Sequence, residues 1–229
     1  MIIRKNIFTS IIVLAISLLT APATATAQSQ KHHHVEEPDT TPLFRGVAVS
    51  IDLVGPVQRA ISDYGQYEAA LRLNLKDRYF PIVELGIGSA DYEDAVTGIT
   101  FKTSAPYGRV GCDFNILKNK HDDYRLYLGA RYAFSSYKYD LSNPGVEDPV
   151  YGGEASWGAK DVKGSQHWIE AVAGVDAKLT GWLHLGWSVR YRGRISQKSG
   201  DIGEAWYVPG FGKNGSSKLG ITFNVGIEI

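Results

Sequence analysis

Residues 183–195 read Leu-His-Leu-Gly-Trp-Ser-Val-Arg-Tyr-Arg-Gly-Arg-Ile. Leu183, Leu185, Trp187, Val189, Tyr191 and Ile195 alternate with His184, Gly186, Ser188, Arg190, Arg192 and Arg194. Successive side chains of a β-strand point to opposite faces, so this segment has one apolar wall and one cationic wall. The arginines must meet water or acids. The other wall, with Trp and Tyr among aliphatics, must meet an apolar partner, and whether that partner is a protein core or lipid decides the fold.

Seven further segments alternate with the same period: about 43–54, 66–76, 79–90, 105–116, 124–136, 167–179 and 217–229. In the last, Leu219, Ile221, Phe223, Val225, Ile227 and Ile229 face away from Lys218, Gly220, Thr222, Asn224, Gly226 and Glu228. No segment keeps a helical period, so the chain reads as all-β. Short connections (77–78, 117–123 and 180–182) alternate with long ones (55–65, 91–104, 137–166 and 196–216). That order predicts an eight-stranded antiparallel up-and-down transmembrane β-barrel over 43–229, with short periplasmic turns and long extracellular loops.

Alternation alone fits a soluble barrel with an apolar interior as well as a membrane barrel with the reverse arrangement. The polar face separates them. It is rich in glycine (Gly86, Gly88, Gly111, Gly129, Gly174, Gly186, Gly220, Gly226) and in opposed charges. Glycine weakens a solvent-facing strand, whereas inside a narrow barrel small residues make room for large ones and charges must pair. Arginine also outnumbers lysine on this face, and its guanidinium can bridge two carboxylates. The polar face is therefore read as the lumen. Its expected ion-pair network comprises Asp52, Glu68, Arg72, Glu84, Arg109, Asp113, Arg131, Glu170, Asp176, Arg190, Arg192, Arg194 and Glu228. The apolar segments approach the roughly 9–11 residues that a tilted strand needs to cross the hydrocarbon.

The chain has 229 residues, 44% hydrophobic and 21% charged, with 24 basic and 24 acidic residues. That composition supports one folded domain, and the absence of a basic excess argues against nucleic acid as a partner. Residues 1–27 combine Arg4 and Lys5, an apolar run from Ile7 to Leu19 and Ala25-Thr26-Ala27, the layout of a cleaved secretory signal. Residues 28–42 are polar, carry two prolines and read as a flexible periplasmic leader; His32, His33 and His34 there are read as a solvated tail. Cys112 is the single cysteine, which excludes an intramolecular disulfide and a thiolate zinc site.

The chain resembles the small OmpA/OmpX-type barrels, and more closely an uncharacterised family of outer-membrane barrels described as a domain of unknown function. The resemblance rests on Tyr107-Gly-Arg-Val-Gly-Cys-Asp-Phe-Asn115, the arginine-rich segment 183–195, and the closing Gly220-Ile-Thr-Phe-Asn-Val-Gly-Ile-Glu-Ile229. It implies insertion into the outer membrane of a Gram-negative bacterium by the barrel assembly machinery, which reads the last strand. Ile229 departs from the aromatic final residue of better-known barrels.

Catalysis would rest on His167 with Ser165 and Glu170 nearby, a grouping able in principle to serve acyl transfer, although no nucleophile motif surrounds Ser165. Asp91, Glu93 and Asp94, or Glu147 and Asp148, offer hard oxygens but no calcium-loop spacing. Neither catalytic residues, nor a cofactor, nor a metal site is therefore expected. Tyr137, Tyr139, Tyr151 and Trp157 in the third long loop are the candidate surface contacts, since aromatic side chains dominate recognition hot spots. The expected function is a non-enzymatic outer-membrane barrel with a structural or surface-interaction role and a lumen plugged by the Arg/acid network. Its partners would be outer-membrane lipid, the assembly machinery during insertion, and an unidentified extracellular partner at the loops. An enzyme acting on envelope lipid and a soluble lipocalin-like periplasmic binding barrel are the alternatives.

Overall fold

The computed structural model describes residues 41–147, 152, 154–200 and 202–229. The expected signal segment, the leader up to residue 40 and Tyr151 lie outside the described residues. The strands are β1 (Phe44–Asp52), β2 (Tyr64–Leu75), β3 (Tyr79–Glu93), β4 (Thr100–Asn115), β5 (Tyr124–Glu147), β6 (Glu154–Thr180), β7 (Leu183–Lys198), β8 (Tyr207–Val208), β9 (Gly212–Lys213) and β10 (Ser217–Glu228). One helix, α1 (Val54–Ile61), follows β1. Eight strands close into a barrel in the order β1-β10-β7-β6-β5-β4-β3-β2, while β8 and β9 form a small separate hairpin. Every barrel pair is antiparallel, and closure runs from Ala48 opposite Glu228 to Asp52 opposite Asn224.

The alternation sets the wall as expected: Trp187, Val189, Tyr191 and Ile195 of β7 are exposed on the outside, while His184, Ser188, Arg190 and Arg192 are buried in the lumen. The tightest turn follows β2. Lys76 and Asp77 both have positive φ (56° and 52°), and the Arg78 N–H donates to the Leu75 carbonyl at 3.1 Å, the geometry whose twist matches paired strands. Asn74 braces it by accepting from the Asp77 N–H at 2.9 Å and donating to the Asp77 carboxylate at 2.8 Å.

The loop end differs from the expectation in three places. The span expected as a long loop from 137 to 166 is largely a β-ladder, since β5 and β6 stay paired as far as Glu147 and Glu154. The span 91–104 shrinks to a turn between Glu93 and Thr100. The first long connection holds α1, whose first N–H groups, of Val54 and Gly55, donate to the Asp52 carboxylate at 3.2 and 2.9 Å. Pro56 cannot serve a strand ladder but is tolerated in the first turn of a helix, which is why the chain leaves the wall there.

Candidate functional site

The lumen gathers most of the chemistry-bearing residues, and it is built in two halves. Toward the short turns it is ionic. Arg125 donates to Asp176 and Glu228, each at 3.1 Å, and His184 lies 2.9 Å from both of those acids. Arg72 spans Asp176 at 3.2 Å and Asp113 at 3.4 Å. Arg131 grips Asp113 with both terminal nitrogens, at 2.7 and 2.9 Å, and reaches Glu84 at 3.4 Å. Glu84 lies at the middle of this network. It accepts a two-pronged fork from Arg190 at 2.9 and 3.1 Å and also meets Arg109 at 3.3 Å. Glu68 is shared by Arg109, Arg190 (3.0 Å) and the Tyr107 hydroxyl (2.7 Å). Glu170 is shared by Arg109 (2.9 Å), Arg192 (3.4 Å) and the Trp168 indole N–H (2.7 Å). Every barrel strand except β1 contributes to this network, so its members meet only when the barrel closes. A buried charge without partners is very costly, so the network ties closure to charge pairing.

Toward the loops the lumen is aromatic. Phe101, Tyr139, Trp168, Tyr207, Val208 and Phe211 are almost wholly buried in one cluster. Three of the six belong to the connection between β7 and β10, which folds inward through the hairpin β8–β9. The wall holds it by its backbone: Arg109 donates to the Gly210 carbonyl at 2.7 Å, Arg192 to that of Phe211 at 2.9 Å, and the Tyr139 hydroxyl to that of Gly203 at 2.9 Å. Tyr207 donates in return to the Gly65 carbonyl at 3.2 Å, and burial pushes its hydroxyl above the ordinary tyrosine range, so it stays a donor. Gly210 has φ +82°, and a Cβ there would lie 2.5 Å from the Tyr107 ring, which itself crosses Gly86 opposite. Only glycine fits between the hairpin and that tyrosine.

Several expected roles change. Asp52 is buried but makes no ion pair among the described residues; it caps α1 and accepts from the Phe223 N–H at 3.1 Å, because β1 ends there. Arg194 lies above the network, opposite Trp168 and just before an irregularity in the β6–β7 register. It binds Gln197, Asn214 (3.2 Å) and Glu204 (3.6 Å) at the stem of the inserted connection. Tyr137 and Tyr139 are not surface contacts: they continue the inward phase of Arg131, Ala133 and Ser135 and are 3% and 1% exposed. Trp157 is exposed on the projecting ladder. Arg125 shares the inward phase of Arg131 yet is missing from the expected network, whereas Tyr207, Val208 and Phe211 were not expected in the lumen at all. An apolar run between glycines, Ala205 to Phe211, was the available signal.

The Ser165, His167 and Glu170 grouping does not assemble. His167 sits on the outer face, 2.6 Å from the Tyr132 hydroxyl, whereas Glu170 is buried in the lumen. Among the described residues no group of three or more His, Cys, Asp or Glu side chains is placed to hold a metal ion.

The chain matches the family described as Domain of unknown function (DUF6048) over residues 6–228 and belongs to it. No curated protein matches it. Among solved structures it is similar to CarO2 of Acinetobacter baumannii, at 13% identity over 82% of this chain and 99% of that one, with a TM-score of 0.41. A major outer membrane protein from Thermus thermophilus gives 16% identity over 80% and 98%, with a TM-score of 0.39. The N-terminal β-barrel domain of Pseudomonas aeruginosa OprF gives 11% identity over 81% and 100%, with a TM-score of 0.38.

Proposed function

Taking membership of this family as the premise, we propose that the protein is an integral outer-membrane barrel with no open channel, serving a structural and surface-interacting role in the envelope. The observation that carries this reading is the outward apolar belt. Ile51, Leu71, Leu85, Val110, Leu128, Ile169, Trp187 and Ile221, one from each of the eight barrel strands, all stand exposed on the outer surface. Soluble monomers rarely expose contiguous apolar patches beyond a few hundred Å², and a belt running round a closed ring calls for lipid. Exposed Phe44, Tyr79, Tyr124 and Trp182 at the short-turn end suit a membrane interface. A soluble carrier of apolar ligands would need the opposite arrangement.

The filled lumen supports the second half of the reading. Within the ionic half, beside Arg72, Arg125, Asp176 and His184, the space left is about 10 Å³, room for about one water. The β5–β6 ladder beyond the rim, carrying exposed Trp157, is the surface left for a partner.

Washing membranes with sodium carbonate and running the protein on a denaturing gel with and without boiling tests the barrel, and planar-bilayer recording tests the plug. The expected results are retention in the membrane, a mobility change on boiling, and no porin-sized conductance steps. Release by carbonate, or steady large conductance, would contradict the corresponding half.

A further inference from the structure

The barrel wall is incomplete at its loop end. β1 pairs with β10 only from Ala48 to Asp52 and with β2 only from Phe44 to Ile51. Residues 217–222 of β10 and 64–68 of β2 therefore run on with β7 and β3 at their backs and no strand between them. Helix α1 stands in this gap, and beside it opens a cavity of about 420 Å³ floored by Arg192 and roofed by the hairpin β8–β9.

The charge there is unlike that of the rest of the lumen. Elsewhere arginines and carboxylates share partners closely. Around this cavity stand Arg192, Lys213 and Lys218, against Asp52 alone. Asp52 is already engaged by three backbone N–H groups. Arg192 reaches Glu170 only at 3.4 Å, a carboxylate that Arg109 holds more closely, and its Nη2 has no acceptor among the described residues. That nitrogen abuts Gly220, where a Cβ would come within 3.0 Å of it, so the glycine leaves the guanidinium a path to the gap. Lys218 is half-buried with no carboxylate partner among the described residues, and the Lys213 ammonium rests over the Tyr64 and Trp206 rings at 5.4 and 5.0 Å. The rim is apolar: Leu219 and Ile221 point outward and are 70% and 55% exposed.

A cationic interior reached past an apolar outer rim fits a molecule with both characters. We infer that this lateral opening is a binding site for an anionic amphiphile, with a phosphate-bearing headgroup against Arg192, Lys213 and Lys218 and its acyl chain over Leu219 and Ile221. The volume lies in the range of ordinary ligand sites, and a guanidinium with two ammonium groups suits phosphate oxygens. The inference rests on the membrane reading, since the chain portion needs a lipid-facing rim.

The test titrates the detergent-folded full chain, its fold first verified by the mobility change on boiling, with dihexanoyl phosphatidic acid, dihexanoyl phosphatidylcholine and inorganic phosphate below micelle-forming concentrations. Calorimetry follows binding. The site predicts saturable binding of phosphatidic acid at least tenfold tighter than of either other compound. It also predicts a loss of at least tenfold in the K213Q/K218Q variant, whose gel shift is unchanged. Equal affinity for inorganic phosphate would overturn the amphiphile assignment. Equal affinity for phosphatidylcholine, no saturation, or an unaffected double variant would overturn the site. A chain that binds nothing yet shifts on boiling refutes the site alone, whereas one that never shifts refutes the barrel reading.

Discussion

Near the short turns the lumen is filled with charge that the strands themselves carry; near the loops it is filled with rings of which Phe101, Tyr139 and Trp168 come from strands and Tyr207 and Phe211 from an inserted connection. Glu84 and its three arginines come from β3, β4, β5 and β7, and their positions are dictated by strand phase. Tyr207, Val208 and Phe211 belong to no barrel strand and are held by donors on Arg109 and Arg192, by the Gly65 carbonyl and by the rings that the closed wall presents. The ionic half is thus a property of closure, and the aromatic half depends in part on a connection docked against the wall. Arg109 joins the two, holding Glu68, Glu84 and Glu170 while donating to the Gly210 carbonyl.

The contrast predicts unequal responses to damage. Glu84→Ala leaves Arg190, Arg109 and Arg131 without their shared carboxylate, so it should destabilise the whole barrel by about 3–5 kcal/mol. The check is the urea midpoint of unfolding in lipid vesicles. An unchanged midpoint would mean the ionic half does not hold the ring. Phe211→Ala removes a wholly buried ring from the docked connection, a loss of about 3 kcal/mol of packing. That loss should appear as faster hydrogen exchange in residues 205–212 with little change in strand protection. Equal loosening of both would erase the distinction between wall and plug. The smallest effect belongs to Gln166, wholly buried in the aromatic half with neither amide atom hydrogen-bonded among the described residues. Gln166→Leu should therefore stabilise the barrel by about 1 kcal/mol, read as a higher urea midpoint, and a lower midpoint would show that the amide is engaged.

The same contrast explains what the sequence made legible. Strand phase alone places Arg72, Arg109, Arg131, Arg190 and Arg192 in the lumen, because period two is local information. Phase also reached further than it was followed: carried past residue 136, it puts Tyr137 and Tyr139 inside, where they lie. The β5–β6 ladder was obscured because Pro144 and Gly145 mark loops in most contexts, and here they sit at a register irregularity. Asp52 shares the inward phase, yet the Gly55-Pro56 pair following it ends the strand and turns it into a cap. The inward fold of residues 205–211 has no local period at all, since its order comes from Arg109, Arg192 and Tyr139 on distant strands.

The central claim is that apolar side chains face lipid and the lumen is shielded from it. Two single-tryptophan variants test it directly, one keeping Trp187, which is 59% exposed on the outer face, and one keeping Trp168, which is 0% exposed inside. Reconstituted in vesicles whose acyl chains carry bromine, the Trp187 variant should be strongly quenched and the Trp168 variant should keep its fluorescence. Equal quenching, or quenching of Trp168 alone, would contradict the account.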